Sequence, residues 1–223
     1  DGWLRIAPDL RGMGRSDAPD LGYSMTTYAD DLLALLNTLG VDQVVLCGLS
    51  MGGYVAFEIL RRAPERIRGL ILVDTRAEAD SAEAKRGRDE SISLVQTRGA
   101  EALAERMVPV LLGRTTQQAQ PQLVREVRDM IVRTPPVGII GALGAMRDRP
   151  DSTKLLASIA VPTLVVVGQE DEITPPAVAR AMTDAIPGAV LTTIAGAGHL
   201  VPVEAPTAVS RVMAEFLEAA RES

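Results

Sequence analysis

The 223-residue sequence predicts an α/β protein with a mostly parallel sheet and helices on both faces. Short apolar runs rich in β-branched residues alternate with helical patterns, which is typical of a parallel sheet with crossover helices. Residues 76–149 interrupt this alternation with a block that has no strand pattern. The chain is 47% hydrophobic and 23% charged, so it has the composition of a folded globular protein.

Five apolar runs are predicted to be strands. They are residues 4–7, 44–47, 70–73, 164–167 and 190–194. The runs 44–47 and 164–167 are almost wholly apolar, which is expected of strands that are covered on both faces. We therefore predict that these two strands lie in the middle of the sheet.

Three segments are predicted to be helices that pack on the sheet. Residues 27–39 repeat apolar side chains at helical spacing until Gly40 ends the pattern. Residues 53–63 form a second helix that closes before Pro64, and residues 206–222 form a terminal amphipathic helix.

The segment that breaks the alternation is rich in Ala, Glu, Arg and Leu and is predicted to form several short helices. No long linker separates it from the rest, so we interpret it as a helical lid inserted over one edge of the sheet. The predicted division is a core part in residues 1–75, a lid in residues 76–150, and a second core part in residues 151–223.

Charge and residue counts exclude several classes of function. The net charge is −6 and arginines are scattered among acidic residues, so nucleic acid is not an expected partner. No apolar run approaches the roughly 20 residues that span a bilayer, so no membrane association is expected. A single cysteine suits a reducing compartment, and we expect the cytoplasm. Because only one histidine occurs, a His-rich metal site is excluded, and we expect neither a metal nor an organic cofactor.

The strongest motif is a G-x-S-x-G sequence around Ser50, placed between a predicted strand and a predicted helix. A serine in such a sharp turn projects its hydroxyl above the sheet, and the flanking glycines let strand and helix approach each other. The backbone N–H of Met51 opens the helix and is predicted to face a developing oxyanion. We predict that Ser50 is a nucleophile.

The same segment nearly matches a dinucleotide-binding unit. In that hypothesis Gly48 and Gly53 approach a pyrophosphate, and Asp74 at the end of the next strand binds a ribose hydroxyl. Ser50 stands where that fingerprint requires its second glycine.

Two downstream loops favour nucleophilic catalysis. Asp171 follows the strand 164–167, where a carboxylate can orient an imidazole. Its neighbours Glu170 and Glu172 are interpreted as solvated loop charges. His199 follows the last strand in a loop of small residues and completes the order Ser, Asp, His.

Segments along nearly the whole chain resemble one family. They are residues 7–12 with Gly14, Ser16 and Asp17, the turn 50–53, the helix end 63–66, and the loops 168–176 and 196–199. On these segments the chain is similar to the α/β-hydrolase superfamily, and within it to the enol-lactonase, carboxylesterase and cofactor-free haloperoxidase-like group. The resemblance implies a serine hydrolase that cleaves a small carboxylic ester or lactone without a cofactor.

The resemblance also indicates an α/β-hydrolase fold shortened at its amino end. Proteins of this group usually carry three further strands and a His-Gly loop before the segment that begins this sequence. That loop supplies their second oxyanion donor, so only the Met51 N–H is carried over. One of those strands separates the predicted strands 4–7 and 44–47. Either these two strands pair directly, or another chain such as a second copy fills the position, or the sequence is a piece of a longer product.

One further hypothesis concerns function. A noncatalytic or weakly active hydrolase-like scaffold stays open beside the esterase and the dinucleotide-binding protein. Cys47 lies just before the turn and is predicted to be a small buried residue of a central strand rather than a nucleophile.

Overall fold

The structure is a computed structural model and describes residues 2–221. Within those residues the sheet has four parallel strands in the spatial order β1-β2-β3-β4. The strands are β1 (Val44–Leu49), β2 (Ile67–Val73), β3 (Thr163–Gly168) and β4 (Val190–Ile194). Four of the five predicted strands are therefore present, each within a few residues of its predicted bounds.

The two central strands, β2 and β3, carry the core. Their side chains alternate between two apolar layers because successive residues of a strand point to opposite faces. On one face Leu70 and Leu72 pack with the helices before and after β1, and on the other Ile71 and Val73 pack with the carboxyl-terminal helix. The expected arrangement of helices on both faces of a parallel sheet is confirmed.

The helices that cover the sheet are α1 (Met25–Thr38), α2 (Met51–Arg62), a 3-10 turn at Pro64–Arg66, α7 (Thr153–Leu156), α8 (Pro176–Ala185), α9 (Val201–Glu204) and α10 (Pro206–Ala219). Of these, α1 and α2 begin and end close to their predicted positions, and α10 begins at the predicted residue. α1 starts two residues earlier than predicted because Ser24 caps it, its hydroxyl accepting from the Thr27 N–H at 3.0 Å. The predicted end of the last helix, Glu222, lies outside the described residues.

Four helices lie between β2 and α7 in the chain. They are α3 (Ala82–Leu111), α4 (Arg114–Ala119), α5 (Pro121–Arg133) and α6 (Pro136–Arg147). α3 kinks at Gly99, which has a φ of 80°, and packs against α5 and α6 around apolar side chains such as Leu103. No helix of residues 2–221 is long and apolar enough to cross a bilayer. The interpretation of residues 76–150 as a lid stays a prediction.

The amino-terminal segment departs from the prediction. Residues 4–7 are not a strand, and β1 lies at an edge of the sheet instead of in its middle. A strand needs a neighbour for its backbone hydrogen bonds, and the segment does not pair with β1. A cleft of about 730 Å³ lies between residues 7–19 and α1. Direct pairing of the two predicted strands is therefore wrong, and completion of the sheet by a second copy stays a prediction.

One aromatic side chain of the segment contacts two arginines of the rest of the molecule. The indole ring of Trp3 has the guanidinium of Arg68 at 5.6 Å and that of Arg221 at 5.3 Å from its centre. Such cation–π contacts contribute about 0.5–1 kcal/mol each at exposed positions. The next residue, Leu4, is 75% exposed.

Candidate active site

Ser50 occupies a strained turn between β1 and α2. Its φ of 50° and ψ of −110° lie in a region that side chains rarely adopt, at a cost on the order of 1–3 kcal/mol. Two bonds hold the turn: the Ser50 N–H donates to the Val73 carbonyl at 2.9 Å, and the Thr75 hydroxyl donates to the Ser50 carbonyl at 2.8 Å. The turn is thus fixed to the end of β2.

The glycines around Ser50 are required by close approach. A Cβ at Gly48 would lie 2.4 Å from the carbonyl group of Gly52, and a Cβ at Gly53 would lie 2.4 Å from the Thr75 hydroxyl oxygen. A Cβ does not approach other heavy atoms that closely, so glycine at position 48 lets β1 meet α2, and glycine at position 53 lets α2 meet Thr75. This is the steric reason that the sequence motif predicted.

The three predicted side chains lie in one chain of hydrogen bonds. The Nε2 of His199 is 2.9 Å from the Oγ of Ser50, and its Nδ1 is 2.9 Å from the Oδ2 of Asp171. His199 is 2% exposed and Asp171 is 3% exposed. Residues that are 149 and 28 positions apart in the chain are brought together at the carboxyl ends of β1, β3 and β4.

The surroundings of Asp171 keep it ionised. Burial opposes its charge, but hydrogen bonds from His199 and Thr174 outweigh burial and hold the pKa of Asp171 below its ordinary value. Its Oδ1 also accepts from the N–H groups of Ile173 and Thr174, at 2.8 and 2.9 Å. An ionised carboxylate only accepts, so the proton of the imidazole belongs on Nδ1 and Nε2 is left to accept from Ser50.

Met51 is the first residue of α2, directly after Ser50. The N–H groups of a helix's first turn lack acceptors within the helix, and the helix dipole favours negative charge there. The Met51 N–H is therefore suited to bind an oxyanion.

The loop that carries His199 passes very close to other backbone. A Cβ at Gly198 would lie 2.2 Å from the Gly113 nitrogen, and a Cβ at Gly168 would lie 2.0 Å from the Gly198 carbonyl oxygen. The His199 N–H donates to the Leu111 carbonyl at 3.0 Å. The small residues of this loop thus allow it to pass between the end of β3 and the end of α3.

Asp74 is a buried carboxylate next to these loops. Its oxygens accept from the N–H groups of Gly168 and Val201, at 2.9 and 3.2 Å. Burial raises the pKa of Asp74 to about 8, and the nearby charge of Asp171 adds to this effect. The dinucleotide hypothesis needs Asp74 to face a ribose, and a carboxylate that is 1% exposed and bound to backbone argues against it.

Glu170 and Cys47 differ from their predictions. Glu170 is not simply solvated, because it accepts from the N–H and the hydroxyl of Thr115 at 2.8 and 2.6 Å, and these bonds lower its pKa. Glu172 is exposed, as predicted. The side chain of Cys47 is exposed rather than buried, because β1 is an edge strand.

Sequence reasoning missed two side chains at the site. The Thr174 hydroxyl donates to Asp171, and the Glu204 carboxylate binds the backbone beside His199. The one signal for Glu204 was an acidic residue within an otherwise apolar stretch before Pro206. In residues 2–221 no cluster of three or more His, Cys, Asp or Glu side chains could hold a metal ion.

Comparison with known proteins identifies the family. A family model described as the alpha/beta hydrolase fold matches residues 1–206. The AB hydrolase superfamily protein YisY of Bacillus subtilis is 31% identical to this chain over an alignment of 225 positions. The alignment covers 96% of this chain and 81% of that protein.

Two solved structures have the same architecture. A thermophilic esterase from Thermogutta terrifontis, with malate bound, is 44% identical with a TM-score of 0.93, over 96% of this chain and 79% of that one. An enol-lactonase from Burkholderia xenovorans LB400 is 30% identical with a TM-score of 0.86, over 94% of this chain and 79% of that one. Together with the family match, these similarities show that the chain belongs to the α/β-hydrolase family.

Proposed function

We propose that this protein is a serine hydrolase that cleaves a small carboxylic ester or lactone through an acyl-enzyme. The observation that carries the proposal is the unbroken series of hydrogen bonds from Ser50 through His199 to Asp171. Both heavy-atom distances at the imidazole are within the range of a general base that is ready to accept a proton.

In the first half of the reaction, the Oγ of Ser50 attacks the carbonyl carbon while the Nε2 of His199 takes the hydroxyl proton. Asp171 stabilises the imidazolium that forms, since its carboxylate is ionised. The carbonyl oxygen becomes an oxyanion, to which the Met51 N–H donates. His199 then returns the proton to the leaving alkoxide, and the acyl group stays on Ser50.

In the second half, His199 takes a proton from water as the water attacks the acyl carbon. The collapse of this second tetrahedral intermediate returns the proton to Ser50 and releases the acid. A lactone follows the same path, except that its leaving alkoxide is part of the same molecule as the acyl group.

The choice of substrate class rests on the relatives. The solved structures with 44% and 30% identity are an esterase and an enol-lactonase. Because an ester and a lactone present the same acyl carbon and an alkoxide leaving group, one site can serve both.

A fluorophosphonate probe tests the proposal, because it phosphonylates a serine only where the hydroxyl is activated. We expect rapid labelling of the purified protein at Ser50, and loss of labelling in Ser50→Ala and His199→Ala. Ser158→Ala is the matched control, since Ser158 is exposed and its hydroxyl only donates to the Leu155 carbonyl.

Hydrolysis of a short-chain aryl ester and of a simple lactone should follow the same pattern of variants. A folded protein that neither reacts with the probe nor hydrolyses either substrate would contradict the proposal and leave the noncatalytic scaffold. Binding of a nicotinamide nucleotide in calorimetry would favour the dinucleotide hypothesis instead.

A further inference from the structure

Glu204, the last residue of α9, is a buried carboxylate with no part in the proposed reaction. It is 6% exposed and lies five positions after His199 in the chain. Burying a carboxylate is costly unless hydrogen bonds compensate it, so the hydrogen-bond partners of Glu204 indicate its role.

The carboxylate binds the backbone on both sides of His199. Its Oε1 accepts from the N–H of Gly198 at 2.9 Å and from the N–H of Leu200 at 3.1 Å. Its Oε2 accepts from the N–H of Gly113 at 2.8 Å. One side chain thus ties the residues before and after His199 to each other and to the turn between α3 and α4.

These hydrogen bonds fix a stretch of backbone that has no helix or strand to fix it. The chain from residue 195 to residue 200 is neither helix nor strand. Because the Gly198 and Leu200 N–H groups converge on one oxygen, the backbone between them is bent in a fixed way, and the His199 N–H is directed to the Leu111 carbonyl. The direction of the imidazole follows from that bend.

We propose that Glu204 is a positioning residue for His199. By holding the two flanking N–H groups, it places the imidazole where Nε2 reaches Ser50 and Nδ1 reaches Asp171. This inference rests on the proposed function, because the position of His199 affects turnover only if His199 is the base.

The substitution Glu204→Gln tests the role with little change in shape. A carboxylate accepts at both oxygens, whereas a glutamine amide accepts at one and donates at the other. In the variant, an NH₂ group therefore faces either the Gly113 N–H or the pair from Gly198 and Leu200, and the bonds on that side are lost.

Glu58→Gln is the matched control. Glu58 is 7% exposed, close to the exposure of Glu204, and binds Thr26 and Arg61 without contacting the histidine loop. For Glu204→Gln we expect kcat on a short-chain aryl ester to fall roughly 10- to 100-fold with KM changed less than about twofold. The control should keep kcat within about twofold.

A second readout does not require activity. Because the chain has one histidine, tag-free protein labelled with ¹⁵N-histidine gives the signals of a single imidazole. In the wild type we expect a signal from the Nδ1–H proton, which Asp171 protects from exchange with water. In Glu204→Gln we expect that proton to exchange faster or its signal to broaden. If the wild type is inactive but the imidazole signals change as expected, the proposed function fails while the positioning role stands.

The proposal is overturned if folded Glu204→Gln keeps both wild-type kcat and wild-type imidazole signals, or if Glu58→Gln changes them as much. Should Glu204→Gln fail to fold, Glu204→Asp keeps both acceptors on a shorter side chain. A folded Asp variant is expected to lose kcat and to shift the imidazole signals. Wild-type values of both in that variant would equally overturn the role.

Discussion

Among the segments without helix or strand, residues 2–10 and 195–200 differ in how they are held. Residues 2–10 run along the outside of the molecule and leave Leu4 75% exposed. Residues 195–200 are buried at Ala197, Gly198 and His199, and the Glu204 carboxylate accepts from the N–H groups of Gly198 and Leu200. Irregular backbone is therefore not the same as loosely held backbone.

The difference lies in where the hydrogen-bond partners come from. The first segment has a strand-like composition, but strand pairing needs a neighbour with matching register. The second segment has neither helical nor strand composition, yet Glu204 accepts from two of its N–H groups, and Asp74 accepts from the N–H of Val201 directly after it. An irregular loop becomes ordered when side chains bind its backbone, which is the condition for a site that depends on distances.

The largest expected effect belongs to the buried loop. His199→Gln should lower turnover of a short-chain aryl ester by on the order of 10,000-fold, because the general base is lost, with little change in the urea midpoint. Steady-state kinetics and equilibrium unfolding check both parts. Unchanged turnover would refute the catalytic assignment.

A second test adds one methyl group to the same loop. In Gly198→Ala the new Cβ would lie 2.2 Å from the Gly113 nitrogen, so we expect a loss of about 1–3 kcal/mol in unfolding free energy together with reduced turnover. Gly144→Ala in α6 is the control, because its new Cβ has no atom within 4 Å apart from its chain neighbours and the nearby backbone of its own helix. Because alanine is favoured over glycine inside a helix, the unfolding free energy of Gly144→Ala should rise by roughly 0.5–1 kcal/mol. Equal stability of the two variants in urea would contradict the close approach.

The third prediction concerns pH and the carboxylate of Asp74. Its pKa is raised from 3.8 to about 8 in the folded protein, so the folded state binds the proton more tightly than the unfolded state. This contribution to stability is present at low pH and is lost as pH rises through about 8.

Between pH 6 and 7, Asp74 should lower the unfolding free energy by up to about 1.4 kcal/mol, and Asp74→Asn should remove that part of the slope. Urea titrations of both proteins across this range provide the measurement. Parallel pH profiles for the two proteins would show that the pKa of Asp74 is not raised.

The smallest effect is expected in the exposed segment. Leu4→Ala should change the unfolding free energy by less than about 0.5 kcal/mol, because the side chain already contacts water. Leu72→Ala is the buried counterpart, with 0% exposure, and should cost about 2–5 kcal/mol. A cost for Leu4→Ala near that of Leu72→Ala would mean that the segment is packed more tightly than the structure shows.

Much of the fold could be predicted from local pattern. Four strands and three helices are present near their predicted positions because apolar periodicity, Gly40 and Pro64 mark them. The run 44–47 is predicted in mid-sheet because it is apolar. An apolar sequence shows that a strand can be buried, but it does not show which strands lie beside it. The same reason explains the wrong burial predicted for Cys47.

The site could be predicted only in part. Ser50, Asp171 and His199 stand at strand ends in a chain order that signals their meeting. Glu204 and Asp74 carry no such signal, since they bind backbone N–H groups whose positions are defined only once the loops are folded. Thr174 was hidden for the same reason, because its hydroxyl has a role only when Asp171 turns toward the imidazole.

The contact of Trp3 with Arg68 and Arg221 has a practical consequence. Since Trp3 is the sole tryptophan of the sequence, intrinsic fluorescence on selective excitation originates from the amino-terminal segment alone. Detachment of that segment would shift the emission while the circular dichroism of the sheet and helices stayed constant. The chain therefore carries a built-in optical reporter of its own amino end.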